Sequence, residues 1–216
     1  MLTILLTRHG HTERSEPEQY LGQHVDASLS ERGRASAAHL GERLAEVRID
    51  RVVTSPMTRA VETARIVAHG RDVEVDERMA ELNYGKWEGL TLEAVHARFP
   101  GEYEQYEADP ANHHVGGGEN GRQVARRVRS LMDELLEWAE TAGGAEKCCL
   151  LVGHSSVNRV LLALILGVDL RDYRRRFRQD WANLTVLHWP ERDEGPLLLL
   201  ANDVSHILGI HGATWE

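Results

Sequence analysis

The sequence predicts an α/β fold: a three-layer sandwich whose mostly parallel central sheet is covered by helices on both faces. Two observations lead there. Short apolar runs alternate with segments whose apolar residues recur at helical spacing, the order expected of parallel strands joined by helical crossovers. One run, Cys148-Cys149-Leu150-Leu151-Val152, is apolar throughout, as in a central strand buried on both faces.

The elements follow in order. Leu2-Thr3-Ile4-Leu5-Leu6-Thr7 reads as the first strand. Ser30 is an N-cap for a helix whose Ala37, Leu40, Leu44 and Val47 form an apolar stripe. Arg51-Val52-Val53-Thr54 is the next strand. Ser55-Pro56 then reads as a helix start, with serine capping and proline in the first helical position, and Ala60, Ala64 and Val67 continue that helix. Val73-Glu74-Val75 is a further short strand. Between Glu81 and Gly118 the pattern is irregular, with one helix from Leu92 to Phe99. Val124, Val128, Leu131, Leu135 and Trp138 mark a long amphipathic helix. A helix from Val157 to Leu166 follows the central strand, and Leu184 to His188 and Leu197 to Leu200 close as a hairpin. The expected organisation is one domain over 1–216, with 82–118 as a cap-like insert over the active site.

A net charge of −9 argues against general nucleic-acid or membrane-surface binding. The longest apolar stretch, Val160 to Leu166, is far short of the ~20 residues of a membrane span. Arg8 and His9 interrupt the N-terminal apolar run before a signal-peptide core could form. Cys148 and Cys149 are neighbours that cannot usefully staple the chain, so a cytoplasmic location is expected. Of the 25 basic side chains only Lys86 and Lys147 are lysines, so an arginine here means something only by its position.

Arg8-His9-Gly10 stands at the tip of the first strand. Arginine offers a planar donor fork to phosphate oxygens, and glycine lets a ligand approach the backbone. His154 ends the central strand. Ligands of parallel sheets bind outside such strand ends, so His9 and His154 are expected at one edge.

In chain order, Arg8-His9-Gly10, Ser55-Pro56-Met57-Thr58-Arg59-Ala60, Glu81 within Met79-Ala80-Glu81-Leu82, and Gly153-His154-Ser155 resemble the histidine phosphatase superfamily, from about residue 2 to residue 203. The resemblance implies that His9 is the nucleophile and that Arg8, Arg59, His154 and the Ser155 amide surround the transferred phosphoryl group. Glu81 matches the general acid. Ser15 stands where many relatives have an asparagine that helps bind phosphate, and Gly22 matches a loop glycine, beside a Leu21 that replaces a commoner polar residue. Ser155 and Ser156 stand where glycines are frequent, and capping of the helix start accounts for their hydroxyls. The stretch Asn83 to Thr91 resembles the phosphatase branch, and the insert after it is short and acidic.

The expected activity is a phosphomonoesterase acting on a small phosphorylated metabolite through a phosphohistidine. The alternatives are a phosphoglycerate mutase using the same intermediate, a metal-dependent hydrolase built on His9-x-His11, and a catalytically silent binding protein. No cofactor and no metal are expected. The expected partner is a small-molecule phosphate ester, without nucleic acid or membrane, and a homodimer is left open. Arg171, Arg174, Arg175, Arg176 and Arg178 read as a solvated face, and His113-His114 as an exposed loop pair. No role is assigned to His206 or His211.

Overall fold

The computed structural model describes residues 1–207 apart from Ala142 and Gly144. Strand β1 (Leu2–Arg8) leads through a polar loop to helix α1 (Glu31–Arg43), whose Ser30 hydroxyl accepts from the Gly33 amide as the sequence suggests. Then come β2 (Arg51–Thr54), α2 (Thr58–Ala68) and β3 (Glu74–Val75). Helices α3 (Leu92–Arg98) and α4 (Pro100–Ala108) precede the long α5 (Gly121–Glu140). Strand β4 (Lys147–Gly153), α6 (Ser155–Ile165), the short α7 (Tyr173–Arg176), β5 (Leu184–Trp189) and β6 (Leu197–Asp203) complete the order.

The six strands form one sheet in the order β3-β2-β4-β1-β5-β6. The pairs β2·β3, β2·β4 and β1·β4 are parallel, and only β5 runs against the rest. Alternation along the strands separates two cores. Ile4, Leu6, Cys149 and Leu151 pack with Val128, Leu131, Val157 and Leu161 of α5 and α6. Leu5, Leu150 and Val152 pack with Leu40, Ala64 and Val67 of α1 and α2 on the other face. The three layers are those the sequence predicts.

Two local expectations need correction. Helix α2 starts at Thr58, not at Pro56, and its N-cap residue Met57 gives no side-chain bond. Its cap comes through space instead, because an Asp26 carboxylate oxygen accepts from the Thr58 amide at 2.6 Å. The region 82–118 holds two α-helices rather than one, after a 3-10 turn at Gly85–Trp87. Pro100 looks like a terminator but occupies the first turn of α4, the position that tolerates a missing N–H.

Close packing fixes the loop after β1. A Cβ on Gly10 would lie 2.7 Å from the Gly33 carbonyl oxygen, and one on Gly33 would overlap the His11 carbonyl. The first turn of α1 thus rests directly on backbone 10–11. Gly33→Ala is expected to lower unfolding free energy by about 1–3 kcal/mol, the range for overpacking a tight contact. Urea denaturation reads this, and an unchanged midpoint would contradict the packing described.

Candidate functional site

The site opens at the ends of β1 and β4, a cavity of about 430 Å³ whose wall includes Arg8, His9, Ser15, Glu81 and Ser155. It stands there because β1 and β4 pair in parallel with Arg8 opposite Gly153. The His9 amide extends that ladder to the Gly153 carbonyl at 3.0 Å. The rings of His9 and His154 come within 5.1 Å, centroid to centroid.

His9 is 5% exposed, and its Nδ1 lies 2.7 Å from the Gly10 carbonyl oxygen. A carbonyl only accepts, so Nδ1 carries the proton and Nε2 keeps its lone pair. Burial, then the charges of Arg59 and Arg8, hold its pKa well below the ordinary 6.5. The ring is a neutral imidazole with a free nucleophilic nitrogen.

Arg59, His154 and Gly22 stand one layer behind the cavity wall instead of lining it. Arg59 is fully buried; its Nε donates to His154 Nδ1 at 3.1 Å, Nη1 pairs with Asp26 at 2.6 Å, and Nη2 donates to the Leu21 and Gly22 carbonyls. Because arginine only donates, His154 Nδ1 is the acceptor, and Nε2–H donates to Ser55 Oγ at 2.6 Å. Ser55 Oγ also accepts from the Met57 amide at 3.3 Å, one residue short of α2. Burial and then Arg59 lower the His154 pKa well below 6.5. Burial opposes ionisation of Asp26, yet Arg59 and the Ala27 and Thr58 amides hold its carboxyl below the usual range. Gly22 is required by space, since a Cβ there would overlap the Glu88 carboxylate that binds the amides of Gln23, His24 and Val25.

Glu81 is buried at the N-terminus of α6. One carboxylate oxygen accepts from the Leu82 and Val157 amides at 2.8 and 3.0 Å, and the other from the Ser156 amide at 3.1 Å. The helix start is therefore satisfied by this carboxylate, not by the serine hydroxyls. Ser156 Oγ bonds Tyr84 Oη at 2.6 Å instead. Ser15 does reach the wall, with its hydroxyl engaged by the Thr12 amide and hydroxyl. Arg8 bonds the Gln179 carbonyl and Glu18, and its guanidinium stacks over Trp181 at 5.0 Å.

His11 turns to Ser30 and Glu16. Among the described residues no three His, Cys, Asp or Glu side chains gather as metal ligands. His113 and His114 bond the Asp109 and Gly118 carbonyls and lie off the cavity wall. His206 bonds the Ala182 carbonyl, and His211 lies outside the described residues. The arginine cluster is not uniformly solvated. Arg174 and Arg178 line the cavity, and Arg174 pairs with Glu107 at 2.7 Å while lying over the Tyr106 ring. The wall also takes Tyr20, Tyr84, Tyr103, Arg159 and Trp181, none of them a site residue expected from the sequence. Arg159 alone had a readable signal, since it follows Ser155 by four residues and so shares its helical face.

The model of the histidine phosphatase superfamily (branch 1) matches residues 4–203. The chain belongs to this family. It is 29% identical to "Phosphoserine phosphatase 1" of Hydrogenobacter thermophilus over 211 residues, 96% of this chain and 95% of the relative. It is 32% identical over 176 residues to "Glucosyl-3-phosphoglycerate phosphatase" of Mycolicibacterium vanbaalenii, 79% of this chain and 76% of the relative. Among solved structures, Bacillus stearothermophilus YhfR superposes with a TM-score of 0.84 at 28% identity, covering 96% of this chain and all of its own.

Both buried rings enter the folded state neutral. As pH falls below about 6.5 the unfolded chain takes up protons that these rings refuse. Their contribution to stability is therefore complete above that value and is lost as pH drops toward the depressed folded pKa values. In an NMR titration the His9 and His154 resonances are expected to stay those of neutral imidazole at about pH 6. A midpoint at or above 6.5 for His9 would contradict the electrostatics of the site.

Proposed function

We propose that the protein hydrolyses a small phosphate monoester by passing the phosphoryl group through Nε2 of His9. One observation carries the reading. The proton of His9 is committed to Gly10 at Nδ1, so an unprotonated Nε2 remains in a cavity shared with Arg8 and Glu81. Nε2 attacks phosphorus while the ester P–O bond breaks, and Glu81, which takes up a proton when the phosphate dianion binds beside it, gives that proton to the departing alkoxide. Water then attacks the phosphohistidine, Glu81 accepts the water's proton, the P–N bond breaks, and Nε2 regains its electron pair. Arg8 and the Ser155 amide, first in α6, stabilise the phosphoryl oxygens. Arg59 and His154 act from behind, holding the His9 loop and its field.

The cavity volume falls in the range of small-metabolite sites. The 82–118 segment, which supplies Tyr84, Leu92 and Tyr103, serves as its cap. Relatives carry names of both phosphatases and probable phosphoglycerate mutases, such as that of Erwinia tasmaniensis at 30% identity. We favour hydrolysis because the cap is short and acidic. The free, buried Cys148 and Cys149 suit a reducing cytoplasm.

His9→Ala should cut phosphate release at least about a thousand-fold with the fold intact by circular dichroism. Glu81→Gln should slow the burst with an alkyl phosphate by about 10²–10⁴-fold, and with p-nitrophenyl phosphate far less, because nitrophenolate leaves without a proton. A phosphate-release assay across a metabolite panel, with EDTA present, tests the whole reading. Turnover by His9→Ala at the parent rate would overturn it, and isomerisation of 3-phosphoglycerate with little phosphate release would replace it with the mutase.

A further inference from the structure

The cavity wall carries five arginines against three carboxylates, in a chain whose net charge is −9. Four of the five are matched. Arg8 pairs with Glu18 at 3.0 Å, Arg174 with Glu107 at 2.7 Å and Arg178 with Asp180 at 2.9 Å, and Arg14 donates to the Gln19 side-chain oxygen at 3.3 Å. Arg159 has no such partner among the described residues, and its Nε, like that of Arg8, is buried with no acceptor. Burial and then the neighbouring cations Arg8 and Arg174 lower its pKa, against a smaller opposing pull from Tyr84 and Glu81.

Arg159 is half-buried on the cavity wall, with its Nε shut off from water without an acceptor, and an anion that arrives with the ligand would complete it. Arg159 sits one turn along α6 from Ser155, on the same face, about 6 Å further up the helix axis. The phosphoryl end of the cavity is already served by Arg8 and the start of α6. Arg159 therefore meets a different part of the ligand. One guanidinium carries one positive charge, which one carboxylate balances, whereas a second phosphate dianion would leave negative charge over, because Arg174 is already held by Glu107 and Tyr106.

We propose that Arg159 binds a carboxylate carried by the substrate, so that the site selects short phosphorylated acids over phosphorylated alcohols. This rests on His9 defining the phosphoryl end, and it makes Arg159 a specificity-determining residue.

Two inert probes test it by calorimetry: 3-phosphonopropionate, which carries both groups, and n-propylphosphonate, which lacks the carboxylate. The parent protein should bind the first about 10- to 100-fold more tightly, the range for a hydrogen-bonded charge pair. Arg159→Gln should bring the two affinities together, and Arg159→Lys should keep part of the preference. The comparison within the parent needs no variant, so misfolding of Arg159→Gln cannot mask the result. Equal affinity of the parent for both probes, including no binding of either, overturns the proposal, as does an undiminished preference in folded Arg159→Gln. A stronger preference for 1,3-propanediphosphonate than for the carboxylate probe would also overturn it, in favour of a second phosphate. Turnover of 3-phosphoglycerate and glycerol 3-phosphate is scored separately. A carboxylate preference in binding with no phosphate release from any ester leaves this site standing and removes the phosphatase reading, and release without preference does the reverse.

Discussion

The site depends on one register. Parallel pairing of β1 with β4 sets Arg8 opposite Gly153, and the next amide, that of His9, closes on the Gly153 carbonyl. A shift by one residue would turn Arg8 and the alternating Ile4 and Leu6 to the wrong faces, exchanging the two cores. With the register fixed, both strands end level, and α6 starts where a carboxylate from residue 81 can take its free amides. The space at this junction is filled. A Cβ on Gly153 would press on the side chains of Asn158 and Met79.

Around that junction the charges are arranged in depth. Arg59 lies fully buried against Asp26 and His154, and from there its charge acts on His9. Burial and these arginines keep two histidines neutral in a region rich in positive charge. Glu81 is pinned by three amides. An acidic protein thus presents a locally positive cavity, which draws an anion to a neutral nucleophile.

Much of this was legible in the sequence. The strand and helix periods gave the layers, and Arg8-His9-Gly10 with Gly153-His154-Ser155 located the edge, because both rest on short-range pattern. What the sequence concealed was settled by contacts between distant residues. Ser55-Pro56 has the chemistry of a helix start, yet Asp26, thirty-two residues before Thr58, supplies the cap and Ser55 goes to His154. Helix α4 was hidden because Tyr103 and Tyr106 alone give no apolar stripe, and Pro100 resembles a stop. Arg174 looked like one of a solvated run, but the short α7 turns it onto Tyr106. The motif order brings Arg59 and His154 to the His9 end of the sheet, and only their bonding partners show that they stand behind it.

The central claim is that Nδ1 of His9 is a fixed donor and Nε2 the attacking atom. The most direct measurement is a rapid alkaline quench during turnover, followed by peptide mapping and ³¹P NMR of the phosphopeptide. The account requires phosphate on Nε2 of His9, labile to acid and stable to base. Phosphate on Nδ1, on another residue, or no phosphoenzyme in a protein that releases phosphate at speed would contradict it.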